Sequence, residues 1–127
     1  MELRLCESDF RFMEVVWDNA PVRSGELVKL CAASLGWKKP TTYTVIRKMC
    51  EKGFIKNEDS VVSVLVEKDK CQRAESEYVV KSRFKGSLPS FMTAFLGGRS
   101  LSESDAEDLK RIIDSFTSDN DGEDDGK

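Results

Sequence analysis

Apolar residues recur at helical spacing, give way to short β-rich runs, and then return to helical spacing. Over residues 7–18, Phe10, Met13, Val16 and Trp17 make one apolar stripe, which predicts an amphipathic helix. Pro21 ends it and pushes Ala20 toward extended backbone, leaving Val22 as a short extended contact. A second helix is predicted over 24–35, with Leu27, Leu30, Cys31, Ser34 and Leu35 on one face and Gly36 at the left-handed stop. Arg23, at its N-cap, is a poor capping residue. A third helix begins at Lys39 or Pro40 and runs to Lys52, with Pro40 in the tolerant first turn and Gly53 as the stop. Val45, Ile46 and Met49 face inward, and Thr41, Tyr43, Thr44, Arg47, Lys48 and Glu51 are left outside.

The period then changes. Residues 54–58 and 61–67 are rich in β-formers and flank the turn-competent pair Asp59-Ser60, which predicts a hairpin. Helical patterning resumes over 70–84, 87–96 and from Ser102 to about residue 116, with Ser102 and Asp105 at capping distance. The expected fold is mainly α with a small β-hairpin. It is a winged helix-turn-helix over residues 1–68 followed by a helical subdomain over 69–116. The C-terminal helices are too short to enclose a core alone, so burial against a second copy is the economical solution. The dimerisation face expected on this ground comprises Tyr78, Leu88, Phe91, Met92, Phe95, Leu96, Leu109, Ile112, Ile113 and Phe116.

Charge changes the picture only once it is localised. The 127 residues carry 20 Lys+Arg and 23 Asp+Glu, a formal charge of −3 that argues at first sight against nucleic acid. Residues 117–127 hold five acidic residues, one lysine and nothing apolar, so they read as a disordered acidic tail. Residues 37–56 hold Lys38, Lys39, Arg47, Lys48, Lys52 and Lys56 against Glu51 alone, a net of +5. The third helix therefore sits in a strongly basic block.

That block is the main functional signal. A helix entering the major groove needs short polar side chains to reach base edges and Arg or Lys to hold phosphates. Thr41, Tyr43, Thr44 and Arg47 are candidates for base contact, Lys38, Lys39, Arg47, Lys48 and Lys52 for phosphate attraction, and Thr42 shares the same segment. The hairpin tip, Asn57-Glu58-Asp59-Ser60, is acidic and suits covering the core edge better than entering a groove. Trp17 and Trp37 suit packing. The carboxylates Glu103, Asp105, Glu107 and Asp108 suit a solvated helix N-terminus.

Chemistry is otherwise sparse. With no histidine, Ser-His-Asp and Cys-His catalysis and Cys/His zinc sites are excluded. The four cysteines, at 6, 31, 50 and 71, lack C-x-x-C and metal-ligand spacing, a disulfide framework is not expected in a reducing compartment, and they read as small core residues. No cofactor, metal or enzymatic activity is expected. No run approaches a membrane span, and the N-terminus lacks a signal-peptide pattern, so a cytoplasmic protein is expected.

Several ordered motifs resemble one family. They are Phe10-x-x-Met13-x-x-x-Trp17, Pro21-Val22-x-x-x-Glu26-Leu27, Trp37, and Thr41-x-x-Thr44-Val45-Ile46-x-Lys48-Met49-x-x-Lys52-Gly53-Phe54-Ile55. Further on come Phe84-Lys85-Gly86-Ser87, Phe95-Leu96 and Leu101-Ser102-Glu103. Over about residues 5–116 the chain resembles the BlaI/MecI penicillinase repressors, a family that includes CopY-type copper regulators. The resemblance implies a homodimeric winged-helix repressor on palindromic promoter DNA, controlling a β-lactam-type resistance response. It also implies release by proteolysis through a membrane sensor. The family's DNA-reading threonines correspond to Thr41 and Thr44, and its helix arginine to Lys48. The family's Asn-Phe cleavage pair corresponds to Ala94-Phe95, the candidate proteolytic site. Departures include Cys6 and Arg23 in place of Ser/Thr caps, a wing without aromatics, and no C-terminal cysteine cluster of the copper-sensing kind. A winged-helix protein-interaction module without sequence-specific DNA binding is the alternative, motivated by the acidic wing and tail.

Overall fold

The elements follow the predicted order: α1 (Glu7–Asn19), β1 (Val22–Arg23), α2 (Ser24–Leu35), α3 (Lys39–Glu51), β2 (Ile55–Glu58), β3 (Val61–Val64), α4 (Lys68–Arg83), α5 (Leu88–Leu96) and α6 (Glu103–Asp125). The structure is a computed structural model that describes the backbone of residues 1–125 and the side chains of residues 1–117. It divides into two compact units, 1–85 and a second that begins at Gly86.

The first unit is a three-helix cluster closed by a small sheet. Phe12, Met13, Val16, Leu27, Cys31, Met49, Phe54, Val62 and Cys71 are fully buried in one core. The buried face of α1 is rotated relative to the expected stripe. It comprises Asp9, Phe12, Met13, Val15 and Val16, whereas Phe10 and Trp17 are only half-buried. The reason is that α1 packs on two sides, against α2 and against the sheet, so its apolar arc is wider than one seam. Trp17 donates its indole N–H to the Val66 carbonyl at 2.9 Å, and Trp37 stacks on Phe12 with centroids 6.0 Å apart. Both tryptophans are thus structural.

Gly36 ends α2 in the left-handed region at φ 71°, where its N–H reaches Ala32 O and the Trp37 N–H reaches Cys31 O. The sheet has strand order β1-β3-β2, all antiparallel. The register pairs Glu58 with Val61, so Asp59 and Ser60 form a two-residue turn. Both have positive φ, 52° and 63°, the geometry that matches the twist of a hairpin. Short polar side chains make that conformation affordable without glycine.

The last helices add two observations. α4 buries Cys71 in the first core and lies within the compact unit 1–85. The physical reason is that the stem of α4 has apolar surface to give to the winged-helix core. α6 runs to Asp125, past residue 116 and into the acidic stretch expected to be disordered. Extending a helix already nucleated by an apolar stripe adds one backbone hydrogen bond per residue ordered, a far smaller cost than starting one. Residues 126 and 127 of that expected tail lie outside the described residues.

In the second unit Ser87 caps α5 by accepting from the Ser90 N–H, and Ser102 caps α6 by accepting from the Asp105 N–H. Phe91 and Phe95 stack within α5 at 6.0 Å. Among the described residues from 86 to 117, none is buried. No helix among the described residues is long and apolar enough to cross a membrane.

Candidate nucleic-acid interface

α3 is positioned by one row of side chains and presents another. Thr42, Ile46 and Met49, spaced by four and three residues, are buried against the core, with Val45 half-buried beside them. The opposite row, Thr41, Thr44 and Arg47, is exposed, as are Lys38 and Lys39 at the helix start. Tyr43 is half-buried, flanking this row on the α2 side. Among the described residues, no carboxylate lies within ion-pair distance of Lys38, Lys39 or Arg47.

Thr42 is corrected by this geometry. Its side chain is fully buried, and its hydroxyl makes a long 3.4 Å contact to the Lys38 carbonyl, so it cannot reach a ligand. Its place on the inward row completes the 3.6-residue period that Ile46 and Met49 begin. Thr44 donates its hydroxyl to the Pro40 carbonyl at 2.9 Å, which fixes the rotamer and leaves the oxygen lone pairs and methyl group facing out.

Lys48 and Lys52 carry a contact that the sequence did not foresee. Both ammonium groups converge on Asp9 of α1, with Lys48 Nζ at 2.9 Å and Lys52 Nζ at 3.5 Å from Oδ2. Both contacts to the buried Oδ2 are ion pairs, so it is held by charge. Burial pushes the Asp9 carboxyl up, but the Lys48 ammonium, the Cys6 thiol and Lys52 outweigh it and hold the group below its ordinary value. Asp9 holds the Lys48 ammonium above its ordinary value in turn, against the smaller effect of desolvation. Sequence reasoning missed Asp9. The signal was present: a carboxylate one helical turn before Met13, on the stripe that enters the core.

A cleft of about 630 Å³ opens beside the row. Arg23 lines it from β1, Ser24, Gly25, Glu26, Val28 and Lys29 from α2, Lys39 and Tyr43 from α3, and Ser60 from the hairpin turn. Arg23 and Lys29 were not foreseen as site residues. Neither belongs to the basic 37–56 block, and only the fold brings them beside Lys39. The wing tip offers no cation: Asn57, Glu58 and Asp59 are exposed, and Lys56 pairs with Glu58 at 3.2 Å.

The residues expected to mediate dimerisation divide between the units. Leu88, Phe95, Ile112, Ile113 and Phe116 are exposed, at 53–66% of their full surface, and Phe91, Met92, Leu96 and Leu109 are half-buried. Phe91, Met92, Phe95, Leu96, Leu101 and Leu109 line an apolar cavity of about 400 Å³ within the second unit. Tyr78 stands apart. It lies on α4 in the first unit, and the Arg4 guanidinium covers its ring at 3.6 Å, a contact that leaves it 43% exposed. Ala94 and Phe95 sit on α5 with both side chains exposed.

Three helices with a strand between the first two, a two-stranded wing, and an outward hydroxyl-and-cation row on the third helix define a winged helix-turn-helix protein. Comparison with known proteins agrees. Residues 5–115 match the family described as penicillinase repressor, and the chain belongs to that family. It is similar to the methicillin resistance regulatory protein MecI of Staphylococcus aureus strain Mu50, at 22% identity over 113 residues, covering 86% of this chain and 92% of the relative. The proteins of the same name from Mammaliicoccus sciuri and Staphylococcus epidermidis are 21% identical over the same coverage. The family is one of transcriptional repressors and not of enzymes.

Proposed function

We propose that this chain is a homodimeric, sequence-specific repressor of palindromic promoter DNA. The observation that carries the reading is the exposed Thr41, Thr44 and Arg47 row, flanked by Lys38 and Lys39, on a helix locked to the core by Thr42, Ile46 and Met49. Thr41, Thr44 and Arg47 reach base edges, with Tyr43 beside them. Lys38, Lys39, Arg23 and Lys29 attract phosphates on either side. The apolar surface of α5 and α6 supports a homodimer, because an unburied helical unit gains most from an identical partner. Two third helices then occupy successive major grooves on one face of the duplex.

Membership of the penicillinase repressors and similarity to methicillin resistance regulators support control of a β-lactam-type resistance response. Release through a membrane sensor and cleavage at Ala94-Phe95 belong to the same proposal. The exposure of both residues supports access, and the alanine at the first position sets the substrate preference that the protease must have.

The test is selection of bound sequences from random duplexes, followed by gel shift on the selected operator. Thr44→Ala with Arg47→Ala is expected to weaken operator binding by about 30-fold or more, since each good base contact is worth about 1–3 kcal/mol and two are removed. Unchanged affinity would overturn the assignment of α3. The acidic wing favours one other reading, a protein-interaction module. Salt separates the two, because counterion release makes duplex affinity fall steeply with salt.

A further inference from the structure

Asp9 is 1% exposed, carries a negative charge, and lies on a different helix from the DNA-facing row. Among the described residues the cations paired with it are Lys48 on α3 and Lys52, the C-cap residue just past that helix, four residues apart and so on the same side of it. Their side chains are 44% and 45% exposed, yet both ammonium groups are turned onto a buried anion. Phosphates of a docked duplex would have to draw them off Asp9 and leave that carboxylate buried without a partner. Lys38, Lys39 and Arg47, on the same helix segment, have no such anchor among the described residues.

We propose that Asp9 is a specificity-setting residue: an internal counter-anion that occupies Lys48 and Lys52 and withholds them from the sequence-independent, phosphate-driven part of DNA binding. This rests on the DNA-binding reading above. The consequence is quantitative. Each lysine that neutralises a phosphate adds about 0.9 to the slope of log affinity against log salt. Two occupied lysines therefore remove about 1.8 from the slope the basic block could otherwise reach. A repressor with that part trimmed is less readily held by unrelated DNA.

The test is fluorescence anisotropy of the full chain on a duplex of unrelated sequence, titrated with salt. Asp9→Asn keeps the shape and removes the charge. The lysines it strands are half-exposed and rehydrate, so the fold tolerates the change. The variant is expected to bind more tightly at low salt, with a slope steeper by one to two phosphate contacts. Between about 50 and about 200 mM salt its affinity then falls more than that of the wild type, by about 3-fold for one contact and about 12-fold for two. Lys52→Gln, which leaves Asp9 its nearer partner, is expected to leave the wild-type slope unchanged and to remove part of the increment in the Asp9→Asn background. A wild-type slope that drops by about 0.9 in Lys52→Gln would show that the lysine already holds a phosphate and overturn the inference. So would an Asp9→Asn slope equal to the wild type's. Absence of wild-type binding to every duplex at low salt would instead overturn the DNA-binding reading, and this inference with it.

Discussion

Ile113 offers a direct test of the proposed dimer. It lies on the α6 stripe with Leu109, Ile112 and Phe116 and is 59% exposed in the single chain. Replacing Ile113 by Ala removes three carbons, worth about 0.8 kcal/mol each when fully buried. Only the part that a second copy newly covers counts toward association, so each protomer loses about 1.4 kcal/mol. A two-fold interface contains the residue twice, which makes the total about 3 kcal/mol. The dimer Kd is then expected to rise about 100-fold. Sedimentation equilibrium reads the Kd, and far-UV circular dichroism checks that the helices persist. Glu107→Ala, on the opposite side of α6 and 63% exposed, is the control. Its 3.9 Å pair with Lys110 is a surface ion pair, and such pairs contribute little. If Ile113→Ala leaves both the Kd and the helical signal unchanged, the α6 stripe is not the interface.

Three further outcomes follow from the first unit. Thr42→Val, which keeps the shape of a buried side chain whose hydroxyl makes only a 3.4 Å contact, should leave operator affinity within about twofold, whereas Thr44→Ala should lower it about tenfold; gel shifts compare them. The Asp9 carboxyl is held below its ordinary value, so its contribution to stability is present above the unfolded carboxylate pKa of about 3.9 and is lost as pH falls through the lower folded value. Lys48 acts in the opposite sense: its contribution is full below the ordinary lysine pKa and is lost as pH rises through its raised folded value. Urea melts across pH should show Asp9→Asn flattening the acid limb, and an unchanged limb would refute the pairing. Burial pushes the Cys31 thiol up to about 11, and Cys31 and Cys71 are fully buried while Cys6 is exposed. A thiol-disulfide reagent at neutral pH should therefore label Cys6 at once and reach Cys31 and Cys71 only as fast as the protein unfolds. Rapid labelling of all three would contradict the packed core.

Local pattern sufficed for the elements and their order. The i, i+3, i+4 recurrence of Leu27, Leu30 and Cys31, the run Val61 to Val64, and the stops at Pro21 and Gly36 all act over one or two turns of chain, and each appears where the sequence places it. The exposed Thr41, Thr44 and Arg47 row was legible for the same reason, since a helix with one inward row has a defined outward one. Which residues the rows include was less clear. Thr42 is polar, yet it is fully buried, because its position on α3 places it on the core side whatever its chemistry.

Tertiary structure decided what distant segments do to one another. Nothing local to 37–56 says that two of its lysines are spent on Asp9, some 40 residues earlier, or that Arg23 and Lys29 join Lys39 around one cleft. Nothing local to Tyr78 says that Arg4 covers it, or that α4 belongs with the first core. Periodicity reports which way a side chain points from its own helix axis. Whether a charge meets solvent, a phosphate or a buried carboxylate depends on the neighbouring helix, and only the packed chain specifies that neighbour.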